Sequence, residues 1–290
     1  MKHRLPVVAL LGFLSACAPA VKCSAPVYLP TDLQGGSQAL QRGDYATAIR
    51  QLEAVADADS NAQYQLGLIY EEGLGTQQDR RLAASLYSIA AYRDHPKAQF
   101  HFAYLLWEGI DRASTNSERY AARDWFSLAS RQLLEMAEAG DPEAQYMLGY
   151  LYGTGKAFAM DRAESKIWFH RAAEQGHAKA QYELGRLYQG KYGPQYDDKD
   201  FAEALKWFHL AAESGYPAAQ YHLGEAYRWG TLGLSSDNIE AMVWYESAAA
   251  KRHEGASYAR DELSKSMTPQ ELAAARRRTN DWCGPEGAGA

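Results

Sequence analysis

The 290-residue sequence predicts an all-α protein, a solenoid of about five helical hairpins closed by capping helices at both ends. The first observation is an Ala-Gln-aromatic unit that begins at Ala62, Ala98, Ala144, Ala180 and Ala219, so successive copies start 36, 46, 36 and 39 residues apart. The second is that apolar residues recur at helical spacing within each copy. Periods of roughly 20 to 50 residues are typical of arrays in which each unit packs only on its neighbours.

Residues 1–16 predict a signal peptide. Lys2 and Arg4 form a short positive region, and the apolar run over residues 5–13 is too short to span a bilayer. The Leu-Ser-Ala-Cys segment at residues 14–17 resembles the lipobox of bacterial lipoproteins, which implies lipidation of Cys17. An ordinary signal peptide, with Cys17 discarded or left free, is the alternative.

The position of the chain in the cell follows from that resemblance. Because Ala18 and not aspartate follows Cys17, the lipoprotein rule implies sorting to the outer membrane, on the periplasmic side of a bacterial envelope. Residues 17–36 contain several prolines and a Gly-Gly pair, and we expect a flexible tether there. Cys23 and Cys283 remain, and the sequence leaves open a disulfide between them, two free thiols or an intermolecular bridge.

Residues 37–60 are expected to form a half-hairpin that caps the first repeat, because an unpaired repeat exposes its apolar face. Each repeat within residues 61–256 then begins with an amphipathic helix, which in the third copy buries Ala144, Leu148 and Leu151. A glycine interrupts this stripe in four copies, at positions 67, 149, 185 and 224. Since a glycine inside a helix costs about 1 kcal/mol relative to alanine, a packing reason is needed. We expect close approach of two helix backbones.

The second helix of each repeat is predicted from its caps and its aromatic residues. In the third copy Gly153 and Gly155 end the first helix, Asp161 is a plausible N-cap, and a Trp-Phe pair with an Ala-Ala pair follows. The closing glycines of the last three copies are expected to take positive φ: Gly176, Gly215 and Gly255.

These features together resemble the Sel1-like repeat, a relative of the tetratricopeptide repeat. The resemblance rests on the AxYxLGxxY helix, the glycine-containing turn, the acidic cap, the WF or WY pair with AA, and the closing glycine. It implies a right-handed α-solenoid. Some cysteine-rich relatives bind penicillins or have β-lactamase activity, but they carry a cysteine pair in each repeat, which this chain lacks. That activity is therefore not expected here.

Two repeats depart from the pattern, and the chain ends in a second cap. A long second helix explains the 46-residue spacing, and the fourth copy carries a loop over residues 190–198. In residues 257–282 the Thr-Pro-Gln-Glu segment starting at Thr268 has the order of a helix N-cap with a capping box. The arginines at 276–278 are expected on a solvated face of this cap, or else against lipid phosphates or an acidic partner. Residues 283–290 are expected to form a disordered tail.

The sequence lacks the common catalytic, nucleotide-binding and metal-binding motifs. It contains no HExxH, GxSxG, P-loop or CxxC pair, so we predict no enzyme, no cofactor, no catalytic residue and no metal site. The histidines at equivalent positions of different repeats, such as His101 and His222, are not paired at i and i+4 with another ligand. A formal net charge of −6 argues against a nucleic-acid partner.

Comparing the copies with one another predicts the partner-binding surface. Two positions of the first helix, three residues apart, vary between repeats and are expected opposite the buried stripe, on the concave side that first helices line in tetratricopeptide-like arrays. The alternative is that these residues only fill the groove between repeats. The predicted partner-binding residues are Gln65, Leu68, His101, Tyr104, Met147, Tyr150, Glu183, Arg186, His222 and Glu225, with Trp229 beside them.

The predicted function is that of a lipid-anchored periplasmic module that binds another protein on this face. Some envelope Sel1-like proteins act as immunity factors that block phospholipase effectors delivered by type VI secretion, and others scaffold polysaccharide export, surface assembly or signalling. The immunity interpretation is favoured, because a small lipoprotein facing the periplasm would meet such an effector where it acts. A peptidoglycan-acting enzyme is the third alternative.

Overall fold

A computed structural model of the protein describes residues 33–110, 113–190 and 200–283. Within these ranges the chain is entirely helical, with fourteen α-helices and no strand. Their bounds are α1 Leu33–Gln41, α2 Tyr45–Val55, α3 Ser60–Glu72, α4 Arg80–Ala91, α5 Pro96–Glu108, α6 Asn116–Glu138, α7 Pro142–Thr154, α8 Arg162–Glu174, α9 Ala178–Tyr188, α10 Phe201–Glu213, α11 Pro217–Trp229, α12 Asn238–Ala250, α13 Ala256–Ser264 and α14 Pro269–Cys283.

The helices form an array in which each one packs mainly on its neighbours in the chain. Five hairpins, α3–α4, α5–α6, α7–α8, α9–α10 and α11–α12, correspond to the five copies of the repeat unit. This order confirms the predicted all-α solenoid. The N-terminal cap differs from the prediction, because it is a complete hairpin of α1 and α2 that begins at Leu33 and not at residue 37.

Aspartates start most of the second helices, because a side-chain carboxylate can accept hydrogen bonds from the free backbone N–H groups of the first turn. Asp161 accepts from Ala163 and Glu164, which confirms the predicted cap of α8. Asp79, Asp200 and Asp237 do the same for α4, α10 and α12.

The closing glycines behave as predicted in two of three repeats. Gly176 and Gly215 have φ angles of 84° and 83°, in the left-handed region that glycine favours. Gly255 has a φ of −91° and is the N-cap of α13, so the prediction for this residue was wrong. In the last repeat Arg252 takes the left-handed conformation instead, with a φ of 60°. The reason is that α13 follows so closely that Gly255 already belongs to its start.

The recurring glycine of the first helix has a different packing role from the one predicted. A Cβ atom built on Gly185 would lie 2.7 Å from a ring carbon of Phe208 on the partner helix of the same hairpin. Tyr87, Phe169 and Tyr245 lie in the same way over glycines 67, 149 and 224. The close approach is therefore between a glycine and an aromatic ring, not between two backbones.

The long second helix of the second repeat lies where the sequence predicted it. Helix α6 has 23 residues, against 12 or 13 in the other second helices, and accounts for the long second repeat. At the C-terminal cap, Thr268 and Glu271 exchange backbone and side-chain hydrogen bonds, which confirms the capping box of α14. Arg278 pairs with Glu240 of α12, and Arg276 and Arg277 are exposed.

Several sequence predictions lie outside the described residues. They include lipidation at Cys17, the state of Cys23, most of the predicted tether, most of the loop over 190–198 and the C-terminal tail. Among the helices that the structure describes, none combines the length and the apolar composition that a membrane crossing requires.

Candidate partner-binding groove

The first helices of the repeats face one another across the inside of the array. The hydroxyl of Tyr64 on α3 donates a 2.5 Å hydrogen bond to Glu143 on α7, two repeats away. The amine of Lys179 on α9 lies 2.8 Å from the carboxylate of Glu72 on α3, although 107 residues separate them in sequence. Contacts across two and three repeats require strong curvature, with the first helices on the inside. We call the surface formed by α3, α5, α7, α9 and α11 the inner groove.

A buried histidine between two glutamates lies in this groove. The Nδ1 atom of His101 is 3.1 Å from a carboxylate oxygen of Glu71, and its Nε2 atom is 3.9 Å from one of Glu143. Tyr87 donates to Glu71 and Tyr64 donates to Glu143, so both carboxylates have further donors. The structure thus joins α3, α4, α5 and α7 through one polar cluster.

The protonation states of this cluster follow from its charges. Burial lowers the pKa of His101, but the hydrogen bonds and charges of Glu143 and Glu71 outweigh burial and raise it to about 9. Burial opposes ionisation of Glu71, yet the hydrogen bond with His101 lowers its pKa to about 2. The pKa of Glu143 is lowered for the same reason and also by Lys97. At neutral pH the cluster therefore contains an imidazolium between two carboxylates.

A second set of ion pairs extends the cluster along α5 and α7. The amine of Lys97 lies 2.8 Å from Asp141 and 3.1 Å from Glu143. Burial lowers the pKa of Lys97, and the two carboxylates raise it above its usual value. Together with the pair between Lys179 and Glu72, these contacts connect the first four repeats on their inner side.

A pocket of about 220 Å³ opens beside this cluster. Aromatic rings and charged side chains share its lining, which consists of Glu71, Glu72, Phe100, His101, Tyr104, Tyr146, Lys179 and Tyr216. Sequence comparison selected Tyr104 and His101 but missed Lys179, Tyr146 and Tyr216. Tyr146 belongs to the constant Ala-Gln-aromatic unit and was assigned to the scaffold, whereas Lys179 and Tyr216 lie at or just before helix starts, outside the two variable positions.

Two predicted binding residues do not belong to an accessible surface. Met147 is fully buried in the core cluster around Phe126 and Leu133, so its assignment to the apolar centre of the ladder was wrong. His101 is only 8% exposed and is held by the glutamates described above. The reason is geometric: an inner helix contacts its own partner helix and the neighbouring repeats, so the side opposite the buried stripe is also partly covered.

The other residues of the ladder in the first repeats are half-buried. Gln65 forms hydrogen bonds with Ser37 of the N-terminal cap, and Leu68 packs on the core cluster that contains Tyr87. Tyr104 and Tyr150 meet edge to face, with ring centroids 5.7 Å apart. These contacts connect neighbouring repeats, as the groove-filling alternative predicts.

The ladder residues of the last two repeats carry the charges and one exposed aromatic ring. Arg186 contacts both carboxylate oxygens of Glu183, at 3.0 and 3.1 Å. The ring centroid of His222 lies 4.4 Å from that of Phe208. Glu225 accepts hydrogen bonds from Tyr245 and from the indole N–H of Trp229, which is 63% exposed at the end of α11.

A recurring histidine escaped the sequence comparison. His95 and His177 precede α5 and α9 and accept hydrogen bonds from the N–H groups of Ala98 and Ala180 through Nδ1, at 3.1 and 3.2 Å. Each ring also stacks on the tyrosine of the preceding repeat unit, at centroid distances of 4.8 and 4.9 Å. Burial lowers the pKa of both histidines to about 4, which keeps Nδ1 free to accept. His95 and His177 are 82 positions apart in the sequence, the length of two repeats, and this spacing could have identified them as equivalent residues.

The described residues contain no group of three or more histidine, cysteine, aspartate or glutamate side chains arranged to hold a metal ion. The inner helices carry aromatic rings, ion pairs and the exposed Trp229.

The Sel1 repeat model matches residues 60–95, 96–132, 142–177, 178–216 and 217–253, more than half of the chain. The chitin synthase regulator SKT5 of Malassezia restricta is 32% identical over 136 residues, which cover 47% of this chain and 9% of the regulator. The chain therefore spans less than a tenth of that protein's length.

Among solved structures, a Sel1 repeat protein from Oxalobacter formigenes is 28% identical and covers 85% of this chain and 100% of its own, with a TM-score of 0.47. The immunity protein Pa5087 from Pseudomonas aeruginosa is 19% identical and covers 77% of this chain and 84% of its own, with a TM-score of 0.46.

Proposed function

Because this chain belongs to the Sel1 repeat family, whose members bind other proteins, we propose that its inner groove is the surface that receives a partner protein. The observation that carries the proposal is the exposed, pre-positioned tryptophan at the end of α11. Trp229 is 63% exposed, yet its indole N–H is bonded to Glu225, and the guanidinium of Arg228 lies 4.7 Å from its ring centroid. Tryptophan and arginine are the residues that most often dominate binding energy in protein interfaces.

The groove also offers a second anchoring position. The pocket of about 220 Å³ presents the rings of Tyr104, Tyr146 and Tyr216 beside the amine of Lys179. Aromatic side chains contribute a large contact area at a low cost in conformational entropy, so rigid tyrosines suit a protein interface. A partner that contacts this pocket and Trp229 would extend along the inner side from the first repeats to the fifth.

Substitutions at these anchors should weaken binding without unfolding the array. We expect Trp229→Ala to raise the dissociation constant of the partner at least about tenfold, because interface tryptophans typically contribute 2 kcal/mol or more. The matched control is Tyr258→Ala, which removes a 72%-exposed ring from α13, outside the inner groove. Titration calorimetry with the purified partner measures both. If Trp229→Ala and Tyr258→Ala bind the partner with equal affinity, Trp229 does not belong to the binding site and the proposal is wrong.

The protein is further proposed to be held at the membrane through Cys17. This rests on the Leu-Ser-Ala-Cys segment alone, since residues 1–32 lie outside the described part. Cys17→Ser removes the residue that would carry the acyl chains, and stable anchoring needs more than one such chain. The variant should therefore move from the membrane fraction to the soluble fraction of the cell envelope. Fractionation followed by immunoblotting measures this. Retention of a processed Cys17→Ser chain in the membrane fraction would refute the anchor.

The partner class that we propose is a toxic phospholipase effector, which this chain would block as an immunity protein of the periplasm. The support is the family resemblance combined with the predicted envelope position. A neighbouring gene for a secreted lipase, and loss of protection against that lipase in Trp229→Ala, would support this role. Neighbouring polysaccharide-export genes would favour a scaffold. The Sel1 fold is typically a non-catalytic scaffold, and we propose no enzymatic activity.

A further inference from the structure

Lys156 occupies a position that an apolar residue takes in the first repeat. It directly follows Gly155, the left-handed C-cap of α7, as Leu74 follows Gly73 after α3. Leu74 packs against an apolar core cluster there. The side chain of Lys156 is 7% exposed, so its amine is also buried. A buried ammonium group costs several kcal/mol in desolvation unless it is paired.

Aromatic rings surround the amine. It lies 4.4 Å from the ring centroid of Tyr150 and 4.7 Å from that of Trp107, with Phe126 and Tyr104 at 5.8 and 6.0 Å. It also forms a hydrogen bond with the hydroxyl of Tyr150. Each cation–π contact contributes about 0.5 to 2 kcal/mol, which only partly compensates a charge removed from water.

One carboxylate forms a long ion pair with the amine. The carboxylate of Glu108 on α5 lies 3.8 Å away and is about half exposed. Arg162 of α8, and Glu183 and Arg186 of α9, line the same pocket. Burial lowers the pKa of Lys156 to about 8, and Glu108 only partly opposes this effect. A substantial fraction of the amine is therefore neutral and nucleophilic near pH 8.

Lys156 borders a cavity. It lines a pocket of about 290 Å³ between α7, α8 and α9. Phe169 and Leu187 give this pocket apolar lining, and Glu108, Arg162, Glu183 and Arg186 give it charged lining. The helices pack tightly at its edge, where a Cβ atom on Gly153 would lie 2.7 Å from the hydroxyl oxygen of Ser165. The space has room for a small molecule beside the lysine.

We propose that Lys156 is a covalent modification site that condenses with a small aldehyde bound in this pocket. The amine nitrogen attacks the carbonyl carbon to form a carbinolamine. Loss of water then leaves a C=N bond, with the carbonyl oxygen departing as that water and no change in overall oxidation state. Burial raises the pKa of Tyr150, so its hydroxyl stays protonated and acts as a relay: it takes up a proton that the nitrogen loses and passes its own proton to the departing oxygen. This pocket shares Tyr150, Glu183 and Arg186 with the predicted partner-binding residues of the inner groove.

The test is reductive trapping of the folded full-length protein with propanal and cyanoborohydride, followed by peptide mass spectrometry. At pH 8 we expect Lys156 to be alkylated at least about tenfold faster than Lys206, an exposed lysine on α10, because a lowered amine pKa enlarges the neutral fraction. The rate at Lys156 should rise with a midpoint near pH 8. Lys156→Met should lose this fast adduct and keep the others.

A second variant separates reactivity from accessibility. Glu108→Gln removes the carboxylate that stabilises the ammonium form, so it should move the midpoint to lower pH and speed trapping at pH 7. The proposal is overturned if Lys156 reacts no faster than Lys206, or if it reacts only after unfolding in urea. It is equally overturned if Glu108→Gln leaves the pH profile unchanged.

Discussion

Replacing His101 with leucine should lower the free energy of unfolding by about 3 to 5 kcal/mol, the range seen when one member of a buried charge pair is removed. In the native protein the imidazolium lies between Glu71 and Glu143, and both of these carboxylates are themselves largely buried. Leucine would leave two like charges close together without the cation between them. Urea unfolding followed by circular dichroism measures the loss. The effect arises from the two carboxylates that lose their shared cation and not from lost packing volume.

A compensating variant distinguishes these two causes. In a triple variant that combines His101→Leu with Glu71→Gln and Glu143→Gln, the histidine and both glutamate charges are removed together, and Lys97 keeps Asp141 as its partner. Most of the stability should return, because replacing all members of a buried ionic group is often close to neutral. If the triple variant is as unstable as His101→Leu alone, the charge argument is wrong and packing dominates.

The pH dependence provides an independent measurement of the same cluster. The pKa of His101 is raised to about 9 in the folded protein, above the ordinary value of 6.5. Its stabilising contribution is therefore fully present below pH 6.5 and is lost as pH rises from about 6.5 to 9. Wild-type stability should fall through this window, and His101→Leu should lack that fall. Parallel pH profiles for the two proteins would contradict the assigned imidazolium.

The second large effect is expected at the contact between a ring and a glycine inside a repeat. Phe208→Ala should destabilise the protein by about 3 to 5 kcal/mol, because Phe208 is fully buried and its loss leaves a cavity. Gly185→Ala should cost about 1 to 3 kcal/mol, because the new Cβ atom would lie 2.7 Å from a Phe208 ring carbon. The gain in helix propensity, about 1 kcal/mol, offsets part of that cost.

Combining the two substitutions tests whether they act on one contact. In the double variant the new methyl group enters space that the ring has left, so the total loss should be smaller than the sum of the single losses by about 1 to 2 kcal/mol. Ala103→Gly is the matched control, since the second repeat already has alanine at this position, in one cluster with Phe126. Ala103→Gly should lower the free energy of unfolding. Strict additivity at Gly185 and Phe208 would show that the close approach is not energetically important.

Much of the fold was predictable because it depends on local patterns. The capping box at Thr268, the Asp161 cap and the long helix α6 each involve residues within one or two turns of one another, so spacing in the sequence indicates them directly. The recurrence of the glycine was visible in the sequence, but its contact with an aromatic ring, as between Gly185 and Phe208, was not, because the two residues lie on different helices. The prediction for Gly255 failed because it depends on how soon the next helix begins.

The candidate site was predictable only in part. Comparison of the copies located the inner helices and selected Tyr104 and Trp229, but it treated each helix as having one buried side. Met147 is buried because neighbouring repeats cover its other side as well. Lys179 was missed because its importance depends on Glu72, three repeats away.

By itself, the sequence determined the all-α solenoid, its five repeats and the caps at its ends, since these follow from hydrophobic periodicity and helix-end chemistry within each unit. Only the tertiary structure decided which side chains meet inside the curve: the pairing of Lys179 with Glu72, the position of His101 between its glutamates, and the ring-lined burial of Lys156. The physical reason is that curvature accumulates from small rotations between successive repeats. The sequence of one repeat unit does not indicate the total rotation, so it does not indicate which distant side chains come into contact.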